Sequence, residues 1–297
     1  MTVRRLAIVA GGALLWAAGA VPAAEAVHFR TVTSLHADAQ KAALSRPEGV
    51  AFLGREVLVV ADTGNGRLVR YAVTPEGIVA RGESRLAELP YPQHLAPGPR
   101  GELWVLDGQL RRIGRVGPDG AFLGYVALPE GVVPRGVCAD HDGKAWVLDL
   151  AGGRVVVVDG AGKLAREVAL PAARGSFYSD IALDGRGNLF VLDSVGQRVL
   201  VARGGAARAE PLGGSLEQEL EFATSIAVDE SGRVFVADEA GGGIVVLGPD
   251  GSFRGRHGTE GWKEGSFRQP SALAVSGSAV AVAERGNNRV QLFAVAD

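Results

Sequence analysis

Leu58-Val59-Val60-Ala61-Asp62 is an apolar run closed by an acid, and the figure returns five times. The repeats are Leu103-Trp104-Val105-Leu106-Asp107, Ala145-Trp146-Val147-Leu148-Asp149, Leu189-Phe190-Val191-Leu192-Asp193, Val234-Phe235-Val236-Ala237-Asp238 and Val280-Ala281-Val282-Ala283-Glu284. Successive acids are 45, 42, 44, 45 and 46 residues apart. A period of that length marks a radial or solenoidal repeat. Runs that are apolar at every position suit strands covered on both faces.

Upstream of each run lies a shorter apolar stretch entered by a turn. These stretches begin Pro47-Glu48-Gly49, Pro92-Gln93-His94, Pro134-Arg135-Gly136, Tyr178-Ser179-Asp180, Ala223-Thr224-Ser225 and Pro270-Ser271-Ala272. Tight polar turns such as Asp184-Gly185-Arg186-Gly187-Asn188 separate the two, with Asp and Gly supplying local hydrogen bonds and positive φ. Downstream, four acids are followed five positions on by arginine: Asp62 and Arg67, Asp149 and Arg154, Asp193 and Arg198, Glu284 and Arg289. The intervening turn returns the chain to a third strand, and a more polar fourth strand follows a Gly-bearing turn. Four strands in each of six units predict an all-β, six-bladed β-propeller of four-stranded antiparallel blades. The sixth unit stops after three strands. Residues 27–35 are therefore expected to supply its outer strand, closing the ring and hiding an open edge.

Asp62-Thr63-Gly64-Asn65-Gly66-Arg67 and Glu284-Arg285-Gly286-Asn287-Asn288-Arg289-Val290-Gln291-Leu292-Phe293 resemble the NHL repeat, as does the segment 258–270 between units five and six. The resemblance covers residues 27–297 and is weakest in unit two, where the turn after Asp107 reads as shortened. It implies a propeller used mainly as a binding platform, with a minority of enzymes among its relatives.

The chain has a formal charge of −2 and opens with a basic Met1–Arg5, an apolar Leu6–Val21 and an Ala24-Glu25-Ala26 cleavage site. Residues 1–26 read as a secretory signal peptide, which places residues 27–297, a single domain, in the periplasm or outside the cell. The apolar run is 16 residues, short of a bilayer span, and no later segment is a candidate. Removing two arginines and one glutamate leaves −3, with no basic face for nucleic acid. The single cysteine, Cys138, has no partner for a disulfide and reads as a small buried hydrophobe.

Features that recur in every unit belong to the scaffold. The acid–arginine pairs read as structural turn pairs, partly exposed and contributing about 0.2–1 kcal/mol each. Trp104, Trp146, Phe190 and Phe235, each three residues before an acid, read as wedges between blades.

Function is sought where the units differ. The segments entering the innermost strands ring one end of the central channel. There Glu48, His94, Arg135 and Asp180 are expected to converge on a funnel with Tyr178 at its rim. Mixed polar groups in a concavity are the default ligand site. Of five histidines only His94 falls at the mouth, so no three-histidine zinc site is supported. Glu48 and Asp180 are the only convenient carboxylates for a lactonase-like metal, and no Ser-His-Asp set can be placed. Two long segments, 206–222 and 254–268, break the period and are expected to enter the same face. The favoured reading is a monomeric, non-catalytic binding or scaffold module for a protein, peptide or envelope component, without cofactor or metal. The alternative is a metal-assisted small-molecule lyase or lactonase acting in the funnel, with a divalent cation in the channel.

Overall fold

The computed structural model describes residues 27–74, 77–172 and 175–296. The signal-peptide reading of residues 1–26 lies outside the described residues, among which no helix is long and apolar enough to cross a membrane.

Six four-stranded antiparallel sheets form the chain. Blade 1 is β2 (Gly49–Leu53), β3 (Val57–Asp62), β4 (Arg67–Thr74) and β5 (Gly77–Ser84). Blade 2 is β6 (Pro92–Pro97), β7 (Leu103–Asp107), β8 (Arg112–Val116) and β9 (Phe122–Tyr125). Blade 3 is β10 (Pro134–Ala139), β11 (Ala145–Asp149), β12 (Arg154–Val158) and β13 (Leu164–Ala169). Blade 4 is β14 (Tyr178–Leu183), β15 (Leu189–Asp193), β16 (Arg198–Ala202) and β17 (Glu210–Pro211). Blade 5 is β18 (Ala223–Val228), β19 (Val234–Asp238), β20 (Gly243–Leu247) and β21 (Phe253–His257). Blade 6 is β22 (Pro270–Ser276), β23 (Ala279–Glu284), β24 (Arg289–Ala296) and β1 (His28–Leu35), the N-terminal strand that pairs with β24 and closes the ring. The first strand of each blade touches the first strand of the next, and β22 returns to β2.

The core is divided among the six blade junctions. Trp104 packs with Val137 and Val147 of blade 3, and Trp146 with Ile181 and Val191 of blade 4. Phe190 meets Ile226 and Val236 of blade 5, and Phe235 meets Leu273 and Val282 of blade 6. These rings are wedges, as expected. Burying each gives apolar area that one sheet alone could not cover.

The six acids are clamps, and all are at most 1 % exposed. Each accepts a backbone amide 16 or 17 residues upstream, where the chain enters the blade's innermost strand. Asp62 accepts from Ser45 at 2.6 Å, Asp107 from Tyr91 at 2.6 Å and Asp149 from Val133 at 3.0 Å. Asp193 accepts from Phe177 at 3.0 Å, Asp238 from Phe222 at 2.9 Å and Glu284 from Arg268 at 3.0 Å. A carboxylate accepting backbone amides in a dry site is a strong bond with large penalties for removal.

The arginines differ from expectation in three ways. Arg154 and Arg198 are partly exposed, as predicted, but the Arg67 and Arg289 side chains are only 2 % and 5 % exposed. Arg67 donates to Asp62, Asp38 and Glu83; burial pushes its guanidinium down, but these three carboxylates outweigh that and hold it up. In blade 5, Gly243 stands where the arginine would be, and Arg256 reaches back from β21 to Asp238 at 2.9 Å. In blade 2 the turn is full length: Arg112 pairs in register with Asp107, yet it is exposed and lies over the Tyr125 ring at 5.1 Å.

Candidate functional site

The mouth of the channel is built by a repeated irregularity. In blades 2 to 6 the innermost strand slips register after its first residue, at Pro92/His94, Pro134/Gly136, Tyr178/Asp180, Ala223/Ser225 and Pro270/Ala272. The skipped residues are Gln93, Arg135, Ser179, Thr224 and Ser271. A bulge leaves its residue without a ladder partner and re-aims the side chain. All five line a cavity of about 90 Å³ at the mouth, together with Glu48 from blade 1. His94, Asp180, Ser225 and Ala272, one position further in, line both this cavity and a deeper one of about 210 Å³ that runs through the ring. They form the waist between the two. Apart from those polar waist groups the side chains lining the deeper cavity are apolar, the partly exposed ones including Ala139, Ala182, Ala227 and Ala274.

Glu48, His94, Arg135 and Asp180 thus stand together. Tyr178 does not. It precedes the slip, so it points to the junction of blades 3 and 4, where its hydroxyl donates to the Pro171 carbonyl at 2.5 Å beside Leu150 and Phe177. Burial raises its pKa. Neither long segment reaches the mouth: residues of 206–222 and 254–268 line neither cavity. Phe267 is fully buried against Phe293, and the backbone carbonyls of Trp262, Lys263 and Ser266 accept from Arg289. Two mouth residues that spacing did not single out are Glu239 and Arg285, an ion pair joining blades 5 and 6. Each directly follows a clamp acid, which is the signal that could have found them.

Asp180 is the hub of the waist. Its Oδ1 faces His94 Nε2 at 3.0 Å and accepts the Ile181 amide at 2.8 Å. Its Oδ2 accepts the Ser225 hydroxyl at 2.9 Å and the Ile226 amide at 3.0 Å. The carboxylate therefore joins blades 2, 4 and 5. The bond to His94 passes across blade 3 at Gly136, where a Cβ would meet Asp180 Oδ1 at 3.3 Å. An ionised carboxylate only accepts, so the bond makes Nε2 the donor, and in the neutral imidazole that tautomer leaves the lone pair on Nδ1. His94 Nδ1 is buried without a hydrogen-bond partner, and so is Arg135 Nε.

The other mouth charges are engaged. Glu48 accepts from the Tyr91 hydroxyl at 3.1 Å and from Gln93 Nε2 at 3.0 Å. Gly108 makes room for that amide, since a Cβ there would come within 2.4 Å of Gln93 Oε1. Burial first, and then the Glu48 charge, raise the Tyr91 pKa, which keeps its proton on. Arg135 is different. Among the described residues it has no carboxylate partner; its guanidinium lies over the Phe177 ring at 5.5 Å.

The lactonase-type metal does not fit this set. Among the described residues no three of His, Cys, Asp and Glu are placed to share an ion. Cys138, half-buried in the channel wall, is no thiolate donor, because burial and then Asp180 and Asp140 push its thiol up.

The sequence matches no protein-family model and no curated protein. By fold the chain is similar to a virginiamycin B lyase from Staphylococcus aureus, at 17 % identity over 91 % of this chain and 88 % of that one, with a TM-score of 0.61. It is also similar to a gluconolactonase of Xanthomonas campestris, at 16 % identity over 93 % of each chain and a TM-score of 0.66. A hydrazine synthase of Kuenenia stuttgartiensis matches at 12 % identity over 84 % of this chain and 96 % of that one, with a TM-score of 0.63. All three are enzymes. At these identities what is shared is the six-bladed fold.

Proposed function

We propose that this chain acts on a small molecule in the central funnel, in the manner of a lyase or lactonase, and that His94 is its acid–base group. The reading reverses the preference drawn from sequence, which favoured a non-catalytic module. One observation carries it: the His94–Asp180 bond at the waist, which fixes the imidazole tautomer and leaves Nδ1 with an uncommitted lone pair. An orphaned buried nitrogen costs about 1–3 kcal/mol, so a substrate group that satisfies it is favoured there.

Opening a cyclic ester needs such a base. Water adds to the carbonyl, the ring C–O bond breaks, and the proton taken from water passes through His94 to the leaving oxygen. Nδ1 is covered in the resting funnel, so the side chains over it must give way for the transfer while the Nε2–Asp180 bond holds the imidazole in place. No metal enters this route. The basic, apolar and small-residue character of 1–26 supports an exported enzyme, and the Asp62–Arg67 and Glu284–Arg289 turns support an NHL-type repeat.

The test is turnover of a lactone panel including gluconolactone, and of virginiamycin B, by purified residues 27–297 after treatment with chelator. Turnover that falls about 10²–10⁴-fold in His94→Ala, with the melting temperature kept, supports the reading. A wild-type protein that opens none of them, or a His94→Ala variant as active as wild type, returns the funnel to the binding-module reading.

A further inference from the structure

The mouth and the shaft differ in a way that specifies a ligand. At the mouth every carboxylate is engaged: Glu48 by Tyr91 and Gln93, Asp180 by four donors, Glu239 by Arg285. Of the two arginines described at the mouth, Arg285 pairs with Glu239, whereas Arg135 has no carboxylate partner and its Nε is buried without one. It is held rather than free: it stands on a bulge of β10, and its guanidinium rests on the Phe177 ring. An arginine fixed by an aromatic face and lacking a carboxylate is a ready receptor for a planar anion, which it can take through two parallel N–H bonds.

Below the waist the lining side chains are apolar, from Cys138 and Ala139 to Ala274 and Val275. The mouth is the smaller chamber, about 90 Å³. The shaft adds about 210 Å³. The two share His94, Asp180, Ser225 and Ala272, so one slender molecule reaches both.

We propose that the funnel binds carboxylic acids with a slender apolar tail, the carboxylate on Arg135 and the tail in the shaft. The proposal deepens the lactonase reading, because the opened product of a hydroxy-acid lactone carries such a carboxylate. It rests on that reading only for the identity of the reaction; binding is separable from turnover.

The experiment is calorimetric titration of residues 27–297 with acetate, butanoate, hexanoate and octanoate at fixed ionic strength, with hexanol as the uncharged control. Affinity should rise about three- to fourfold for each added methylene. Arg135→Gln should weaken every acid by at least about tenfold, with the melting temperature unchanged. Ala274→Phe, which narrows the shaft, should flatten the chain-length series while acetate still binds. Equal affinities across the wild-type series overturn the placement of the tail. Acids that bind Arg135→Gln as well as wild type overturn the head-group assignment. Lactone turnover without carboxylate binding sinks this proposal alone; carboxylate binding without turnover sinks only the catalytic one.

Discussion

Two rings of six equivalent positions lie at the same end of this propeller, and they behave oppositely. The first is the ring of clamps, Asp62, Asp107, Asp149, Asp193, Asp238 and Glu284, where the chemistry is uniform. The second is the ring of mouth positions, Glu48, Gln93, Arg135, Ser179, Thr224 and Ser271, where an acid, an amide, a cation and three hydroxyls line one cavity, the last five of them on bulges. The register places them side by side, since the first residue of the inner strand pairs with the clamp acid, as Pro134 does with Asp149. The difference has a physical source. Each clamp serves the same backbone amide in its own blade, so only a carboxylate will do. Each bulged residue has no ladder partner, so its side chain answers to its own neighbours: Gln93 bonds Glu48, the Thr224 and Ser271 hydroxyls donate to backbone carbonyls at the entry to the next blade, and Arg135 meets no carboxylate. Uniform chemistry marks what the scaffold needs, and varied chemistry marks what it leaves open for a ligand.

The largest effect is expected where closure is broken. Strand β1 brings Phe29 against Phe235 and Phe293 and covers the outer edge of β24. Deleting residues 27–35 exposes that edge and a blade junction. The loss should consume most of the about 5–15 kcal/mol that stabilises a domain. Thermal unfolding that is unchanged after the deletion would contradict the closure.

Within the clamp ring, Glu284 is expected to matter most. It accepts from the Arg268 amide, Asn287, Gln291 and a buried Arg289. Glu284→Ala leaves that buried guanidinium without its counter-charge and the Arg268 amide without its acceptor, at a cost of about 3–5 kcal/mol in denaturant unfolding. Substituting a mouth residue such as Thr224 should cost far less. A clamp variant no weaker than a mouth variant would erase the distinction between the rings.

A third expectation concerns pH. His257 stacks on Phe29 at 4.5 Å, with Phe293 edge-on at 5.1 Å, and its Nε2 is buried without a partner. Burial pushes its pKa below the ordinary 6.5. A depressed histidine pKa means that the unfolded chain takes up the proton first as pH falls. The stability it contributes is complete above about pH 6.5 and is lost progressively below that. Denaturation midpoints measured from pH 7.5 down to 5 should therefore fall more steeply for wild type than for His257→Phe. Parallel curves would remove His257 as the cause.

Much of this plan was readable from the sequence, for reasons that also explain the misses. The six apolar runs and their acids announce strands and period together, and the missing strand of the last unit points to residues 27–35. Glu48, His94, Arg135 and Asp180 were legible because alignment of the units placed all four where the chain enters the innermost strands. Tyr178 was misplaced by a single residue, because a bulge leaves no mark in Tyr178-Ser179-Asp180 that distinguishes the residue before the slip from the one after it. Glu239 and Arg285 were overlooked because a turn residue's direction depends on the turn. The burial of Arg67 depends on Asp38, which comes from the N-terminal segment, 29 residues away in sequence. Arg256 replaces the absent arginine of blade 5 from a different strand, 18 residues from Asp238, so spacing within the turn cannot reveal it.

The smallest effect belongs to blade 2, and it tests the clamp argument from inside the ring. Arg112 and Arg289 occupy the same register position, opposite Asp107 and Glu284. Residue spacing makes them equivalent, but their surroundings do not. Arg289 is buried and donates to Glu284 and to three backbone carbonyls. Arg112 is exposed, and Asp107 is satisfied without it by the amides of Tyr91, Gln109 and Leu110. What Arg112→Ala removes is the contact with the Tyr125 ring, worth about 0.5–1 kcal/mol at an exposed site. The denaturation midpoint should barely move, while Arg289→Ala should shift it severalfold more. Equal shifts would mean that the arginine position is uniform after all, and that the carboxylate in blade 2 depends on its partner as the one in blade 6 does.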